Sequence, residues 1–582
     1  MLYPRLQKKN IDRRMLSAFR GYEHRLRTSQ GAFYETKNLS SALYPFLSVR
    51  PRRAVYKTLS APQGIIEKDA LAYIDSGRLY YNDMATPLTS MAAGEKQLVS
   101  MGAYICIFPD KLYYNTADPT DYGSMEAKWS YTGQVTYTMC SALGEDYPEQ
   151  IHSDTEPVEP AEGDYWLNTA ANTLSVYSGG MWAQIESVYV KLRFTTQGQI
   201  PSAFAQYDGV ELSGSSVAAV NGSKILQAVG GSAGQGAEAE GAESDCIVVI
   251  AEPGVYVTQE SENIKISRSV PDMDYVCQCG NRLWGCRYGN NGLRNINELY
   301  CCALGDFKNW NQYMGLSTDS WRASVGSDGV WTGAVSYLGE PLFFKENCIH
   351  RVSISSVGAH QVGETACRGV QRGSAKSLCV VNETLYYKSR SDVCAYQGGF
   401  PESVSAALGE EQYSAAVAGA FGQKYYISML DAAGQSQLFV LDIARGIWMH
   451  EDGLRAEAFA RVDDELFCLS GKTLYALNGT TGEREAAVDW LAETGLIGCE
   501  YPKAKYLSRM YIRAWLGEGA NVSVYIEYDS SGVWEKAGKL AMDRIGTAEL
   551  SLRLHRCDHV RLRLVGAGEM KLISAARELT VG

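Results

Sequence analysis

The chain has 582 residues, 46% hydrophobic and 21% charged, a composition of folded soluble proteins and a length too great for a single core. A formal net charge of −12 argues against tight wrapping of nucleic acid, which needs many cationic contacts with phosphate. No run of about 18 apolar residues occurs, so no membrane-spanning helix is expected, and the charged opening MLYPRLQKKNIDRRML lacks the apolar core of a secretory signal.

Thirty-seven Tyr and 57 Gly beside 16 Pro favour many short strands joined by tight turns. Fifteen Cys, an odd number scattered through strand-like segments, read as buried thiols of a protein made in a reducing cytosol. The charge is uneven. Residues 1–60 hold 13 Lys and Arg against 3 Asp and Glu, a balance of +10, and the remainder, 41 against 63, stands at −22. Residues 1–60 therefore read as a basic arm, a surface helix or extended strap interrupted by Pro45 and Pro51. Arg5, Lys8, Lys9, Arg13, Arg14, Arg20, Arg25 and Arg27 are its candidate contacts to an acidic partner: a neighbouring subunit, another protein or DNA.

From residue 61 a unit recurs: an apolar strand, a short polar turn, then Leu followed by two large residues. In 61–125 it occurs twice, with second strands Leu79-Tyr80-Tyr81 and Leu112-Tyr113-Tyr114. Further copies start at Leu283, Leu342, Leu385, Leu438, Leu466 and Leu474. The spacing over 250–490 matches one four-stranded sheet per repeat, so an all-β chain with a β-propeller is expected, a β-sandwich being the alternative.

Residues 126–249 interrupt the series and read as inserted small β-modules, containing linker-like Thr155–Glu162 and Gly230–Glu243. Within them Tyr165, Trp166, Tyr177 and Trp182 are either the core of a small hairpin or a glycan-stacking surface. Residues 491–582 alternate apolar and polar, as in a C-terminal β-sandwich with one wet face per strand.

No catalytic constellation emerges. His555-Arg556-Cys557-Asp558-His559 lacks a matching second pair for zinc, and Cys277/Cys279 and Cys301/Cys302 lack Cys-x-x-Cys spacing. Asp306, Asp319 and Asp328 lie in an Asp-, Asn- and Trp-rich loop and read as turn formers, although a propeller glycosidase would need two such carboxylates. Ser327-Asp328-Gly329-Val330-Trp331 only approaches a sialidase-type box, and no Walker loop, GxSxG or HExxH is present. No enzymatic activity, metal or cofactor is expected.

Three blocks resemble a known family: FRGYEHRL with GAFYETKNLSSALYPFLSVRPRR, KQLVSMGAYICIFPDKLYYNT, and NRLWGC through GDFKNWNQYMG, DSWRASVGSDG and GEPLFFKENCIHRV. They are similar to the tail-hub, packaged-DNA stabilisation (tail nozzle) proteins of tailed phages and prophages of Firmicutes. The resemblance covers nearly the whole chain except the insertion and rests on packing and turn motifs. It implies a structural protein of the virion tail, made in the host cytoplasm: a propeller subunit in a homo-oligomeric ring, six-fold in the family. Such a ring extends the portal–adaptor channel and retains or guides packaged DNA. The implied partners are portal and adaptor proteins, tail fibre or spike proteins, and double-stranded DNA in weak contact during ejection. A tail-tip carbohydrate- or receptor-binding protein is the alternative.

Overall fold

The computed structural model describes residues 10–194, 203–230, 246–355, 358–501, 504–542, 544–550, 552 and 555–581. Among them the chain is all-β, as expected, with three 3-10 turns and no α-helix. It divides into two compact units, one of residues 1–98, 329–351 and 363–582, the other of 99–328 and 352–362.

The first unit contains a sandwich of two six-stranded sheets. One sheet orders Leu39–Ser40, Leu47–Val49, Met570–Val581, Lys505–Leu516 and Gly546–Leu550, with Asn10–Leu16 also paired to Met570–Val581. The other orders Gly21–Tyr22, Ala32–Lys37, Asp489–Thr494, Val560–Ala567, Asn521–Tyr528 and Trp534–Leu540. Period-two alternation aims Leu507, Ile512, Ala514 and Leu572 of one sheet at Trp490, Val522, Val524 and Leu562 of the other, and these share one core.

Residues from position 10 are therefore not a free arm. Asn10–Leu16 pairs antiparallel with the chain's last strand, from Asn10 opposite Val581 to Leu16 opposite Ala575. Ala32–Lys37 pairs with Asp489–Thr494, and Ala54–Thr58 with Thr473–Ala476. The physical reason is apolar burial under the charge: Phe19, Phe33, Leu39 and Leu47 enter the sandwich core. The sandwich accordingly draws strands from both ends of the chain, its C-terminal part beginning at Asp489, so segments 1–60 and 491–582 share one core.

The same unit carries a run of antiparallel meanders. Their outermost strands begin and end at Pro62–Lys68 and Met84–Ala85, Gly333–Tyr337 and His360–Ala366, Cys379–Val381 and Glu402–Ser403, and Ser414–Phe421 and Ile447–Asp452. A further sheet joins Ala458–Val462, Glu465–Ser470 and Thr473–Ala476 to Ala54–Thr58 and Glu483–Arg484. Neighbouring sheets pack face to face: Leu385 and Tyr387 with Leu342 and Phe344, Tyr386 with Tyr425, Val440 with Leu466, and Phe467 with Tyr73.

The second unit holds two more meanders, Gln97–Met101 to Tyr122–Ser124 and Tyr275–Cys279 to Trp321–Ser324, sharing a core of Cys106, Tyr113, Leu283 and Trp310. Between them in sequence lies a seven-stranded sheet with its own core of Val135, Tyr137, Leu192, Val210, Leu212, Ile247 and Ile264. Its strand Gln259–Arg268 pairs with Ala127–Cys140 from Ala127 opposite Arg268, so the insertion ends near residue 268, not 249. Most of the Gly230–Glu243 linker lies outside the described residues.

Candidate functional site

The aromatic candidates belong to a small sheet inserted between Ala127–Cys140 and Tyr189–Phe194, whose facing ends, Cys140 and Tyr189, are paired. Gln150–Ser153 runs parallel to Tyr165–Asn168, and Thr173–Ser178 and Met181–Gln184 follow antiparallel. The last turn is Gly179-Gly180, both at positive φ (61° and 84°), which brings Tyr177 opposite Trp182.

Alternation splits the four aromatics between two faces. Leu167 and Leu174 point inward with Met139 and Val188, and Tyr165 joins them, its ring 5.1 Å from that of Tyr147. Trp166, Tyr177 and Trp182 occupy the opposite face, half-buried. Trp182 meets Trp166 at 5.5 Å and Tyr177 at 5.2 Å between ring centroids, both edge to face. The Trp166 Nε1–H donates to the Ser153 carbonyl at 3.1 Å, whereas Trp182 Nε1 is buried with no hydrogen-bond partner among the described residues. Ile151, paired with Trp166, extends this face and is 40% exposed. The hairpin's core is thus leucine and tyrosine, and three rings remain on the face away from it. Such a surface can stack on the apolar face of a sugar ring.

The basic candidates fare differently. Arg5, Lys8 and Lys9 lie outside the described residues. Arg13 is held by Glu578 at 2.8 Å, and Arg14 by Glu500 at 3.0 Å and Asp12 at 3.2 Å. Attraction to Glu500 and Asp12 outweighs the desolvation that would lower Arg14, so its pKa is raised. Arg25 donates to the Ala406 carbonyl at 2.8 Å. Arg20, Arg25 and Arg27 are exposed. The positive charge is answered largely within the chain: Arg50 bonds Glu485, and buried Arg53 bonds Glu451 and Asp452, each at 2.6 Å.

Two of the three loop carboxylates hold the loop together. Asp319 is buried and accepts from the Leu316 N–H at 3.0 Å, the Met314 N–H and the Gln312 side chain at 3.1 Å. Asp306 accepts from the Lys308 N–H at 3.0 Å, and Asp328 is exposed. At the C-terminal cluster, the Cys557 thiol is buried and donates to the Lys505 carbonyl, His559 bonds Asp558 and Ser530, and the His555 ring lies against Tyr528 at 4.6 Å. Sequence spacing does not single out Cys348, His350 and Glu364, which the sheet of residues 333–366 brings together.

No family model and no curated protein matches the chain. Among solved structures it is similar to an exo-β-1,3-galactanase from Phanerochaete chrysosporium solved with galactose, at 9% identity and a TM-score of 0.22, covering 52% of this chain and 94% of that one. A glycoside hydrolase matches at 8% identity and a TM-score of 0.19, over 51% of this chain and 96% of its own. The extracellular domain of a hybrid two-component system from B. thetaiotaomicron matches at 9% identity and a TM-score of 0.16, over 92% and 91%. Likenesses this distant carry no argument about activity.

Proposed function

We propose that this chain is a structural subunit of a phage tail, a ring-forming hub or nozzle component that extends the portal–adaptor channel and retains or guides packaged DNA. The reading rests on the resemblance of the FRGYEHRL, KQLVSMGAYICIFPD and GDFKNWNQYMG blocks. The observation that carries it furthest is the repeated meander of four strands, with the sheet of residues 458–476 completed by Ala54–Thr58 from the other end of the chain. We propose that the meanders of the first unit are blades of one propeller, with Ala54–Thr58 from the other end of the chain completing the blade of residues 458–476. The acidic balance of residues 61–582 suits a channel wall along which DNA passes without being held. In a prophage carrying this gene, a stop codon early in it should yield particles whose DNA is lost to nuclease. Fully infectious tailed particles without the protein would refute the proposal.

A second reading, glycan or receptor recognition at the tail tip, is favoured by the Trp166, Tyr177 and Trp182 face. Trp166→Ala with Trp182→Ala should abolish binding on a glycan array while leaving the melting temperature of the rest of the chain unchanged. Equal binding by the variant would remove this reading.

A further inference from the structure

We infer that Cys348, His350 and Glu364 form a binding site for one zinc-type divalent cation. Cys348 and His350 are two residues apart on the strand Cys348–Ile354, so both side chains leave the same face. Glu364 comes from the next strand of the sheet, His360–Ala366. One donor atom from each lies within 4.8 Å of the other two. His350 Nε2 is 3.2 Å from the Glu364 carboxylate, and Cys348 Sγ is 4.0 Å from His350 Nδ1.

Zinc holds thiolate sulfur at about 2.3 Å and imidazole nitrogen or carboxylate oxygen at about 2.0–2.2 Å, so tetrahedral ligands stand roughly 3.3–3.7 Å apart. Glu364 faces Nε2 of the ring and Cys348 faces Nδ1, so closing the set around one nitrogen requires a turn of the His350 imidazole together with side-chain shifts of about 1 Å. Sulfur, imidazole and carboxylate together suit zinc or cobalt, whereas magnesium and calcium prefer oxygen alone. Three protein ligands leave the fourth position to water.

The surroundings support this assignment. His350 is 1% exposed and Cys348 6%, so charge on the ligands acts in a poorly solvated place. Lys345 lies over the Trp331 ring, 4.5 Å from its centroid, and Trp331 packs edge-on against His350 at 5.0 Å. On binding, the Cys348 S–H bond breaks, a sulfur–metal bond forms, and the proton leaves to buffer. Thiolate and carboxylate then offset the cation's two charges.

The test uses the full chain. Zinc retained after gel filtration should approach one per chain by elemental analysis. Cobalt should produce an intense near-ultraviolet thiolate-to-cobalt band. Cys348→Ser should abolish that band, while Cys367→Ser leaves it in place. Glu364 is the exposed member, with 47% of its side chain accessible, so Glu364→Gln should keep the fold yet weaken cobalt binding at least ten-fold. Absence of stoichiometric metal, a band that survives Cys348→Ser, or unchanged affinity in a folded Glu364→Gln protein would each overturn the assignment.

Discussion

Replacing Arg53 with Ala should destabilise the first unit far more than the same change at its neighbour Arg52. Arg53 is 4% exposed, and its guanidinium reaches Glu451 and Asp452, each at 2.6 Å. Glu451 is itself 6% exposed, so truncating the arginine leaves a carboxylate in the interior without its cation. Breaking a buried pair in this way costs about 3–5 kcal/mol. Arg52 meets Glu569 at 3.9 Å with both side chains largely in water, where a pair is worth roughly 0–1 kcal/mol. By calorimetry, Arg53→Ala should lower the melting temperature by roughly 5 °C or more, and Arg52→Ala by little.

The pH dependence adds a second readout. Burial would raise the Asp452 carboxyl, but the charge and hydrogen bond of Arg53 outweigh it and hold the group below its ordinary 3.8. A depressed carboxylate contributes stability that is present above about pH 4 and is lost as pH falls through its lowered value. The gap between wild type and Arg53→Ala should therefore be full at neutral pH and shrink in acid below pH 4. Equal, small effects of both substitutions would refute the reasoning and restore residues 1–60 as a free arm.

Three further outcomes are expected. Replacing residues 149–186 with a short Gly/Ser link should leave the seven-stranded sheet folded, because Cys140 and Tyr189 are already paired; removing 150–243 takes out Tyr189–Phe194 and Gly209–Ser213 and should abolish cooperative unfolding of the second unit. Burial pushes the Lys388 ammonium down to about 8, with Asp392 only partly opposing. A lowered lysine costs stability while both folded and unfolded forms are charged, so the wild type should gain on Lys388→Met as pH rises from 8 towards 10, by up to roughly 3 kcal/mol, and a flat difference would contradict it. Of the cysteines, Cys499 alone is exposed and Cys367 and Cys379 are half-buried, so a thiol reagent should label Cys499 rapidly in the native chain and the buried thiols only on unfolding; rapid labelling of the buried thiols would contradict this.

Local pattern reached the hairpins. Leu79, Leu112, Leu283, Leu342 and Leu385 all lie on strands, because a tight turn between apolar runs is written in adjacent residues. The phase of the repeat was not equally legible: Leu438 sits on the third strand of its sheet, and Tyr425-Tyr426 on the second strand matches Tyr386-Tyr387. The two ends of the chain were misread because pairing of Asn10–Leu16 with residues 575–581 leaves no mark in either segment alone, while the charges on Arg13 and Arg14 are conspicuous. The adjacent positions of Tyr165 and Trp166 already imply opposite faces of a strand, but which face is covered depends on Met139 and Val188 in other strands. Cys348 and His350 escape a search for separated ligand pairs because a strand presents donors two residues apart.

The central claim is that copies of this chain close into a ring. Electron microscopy of the purified full-length protein, with mass measurement across a concentration series, tests it most directly. The expected result is closed rings of one stoichiometry around a central pore. Monomers at every concentration, or open chains without a pore, would contradict it.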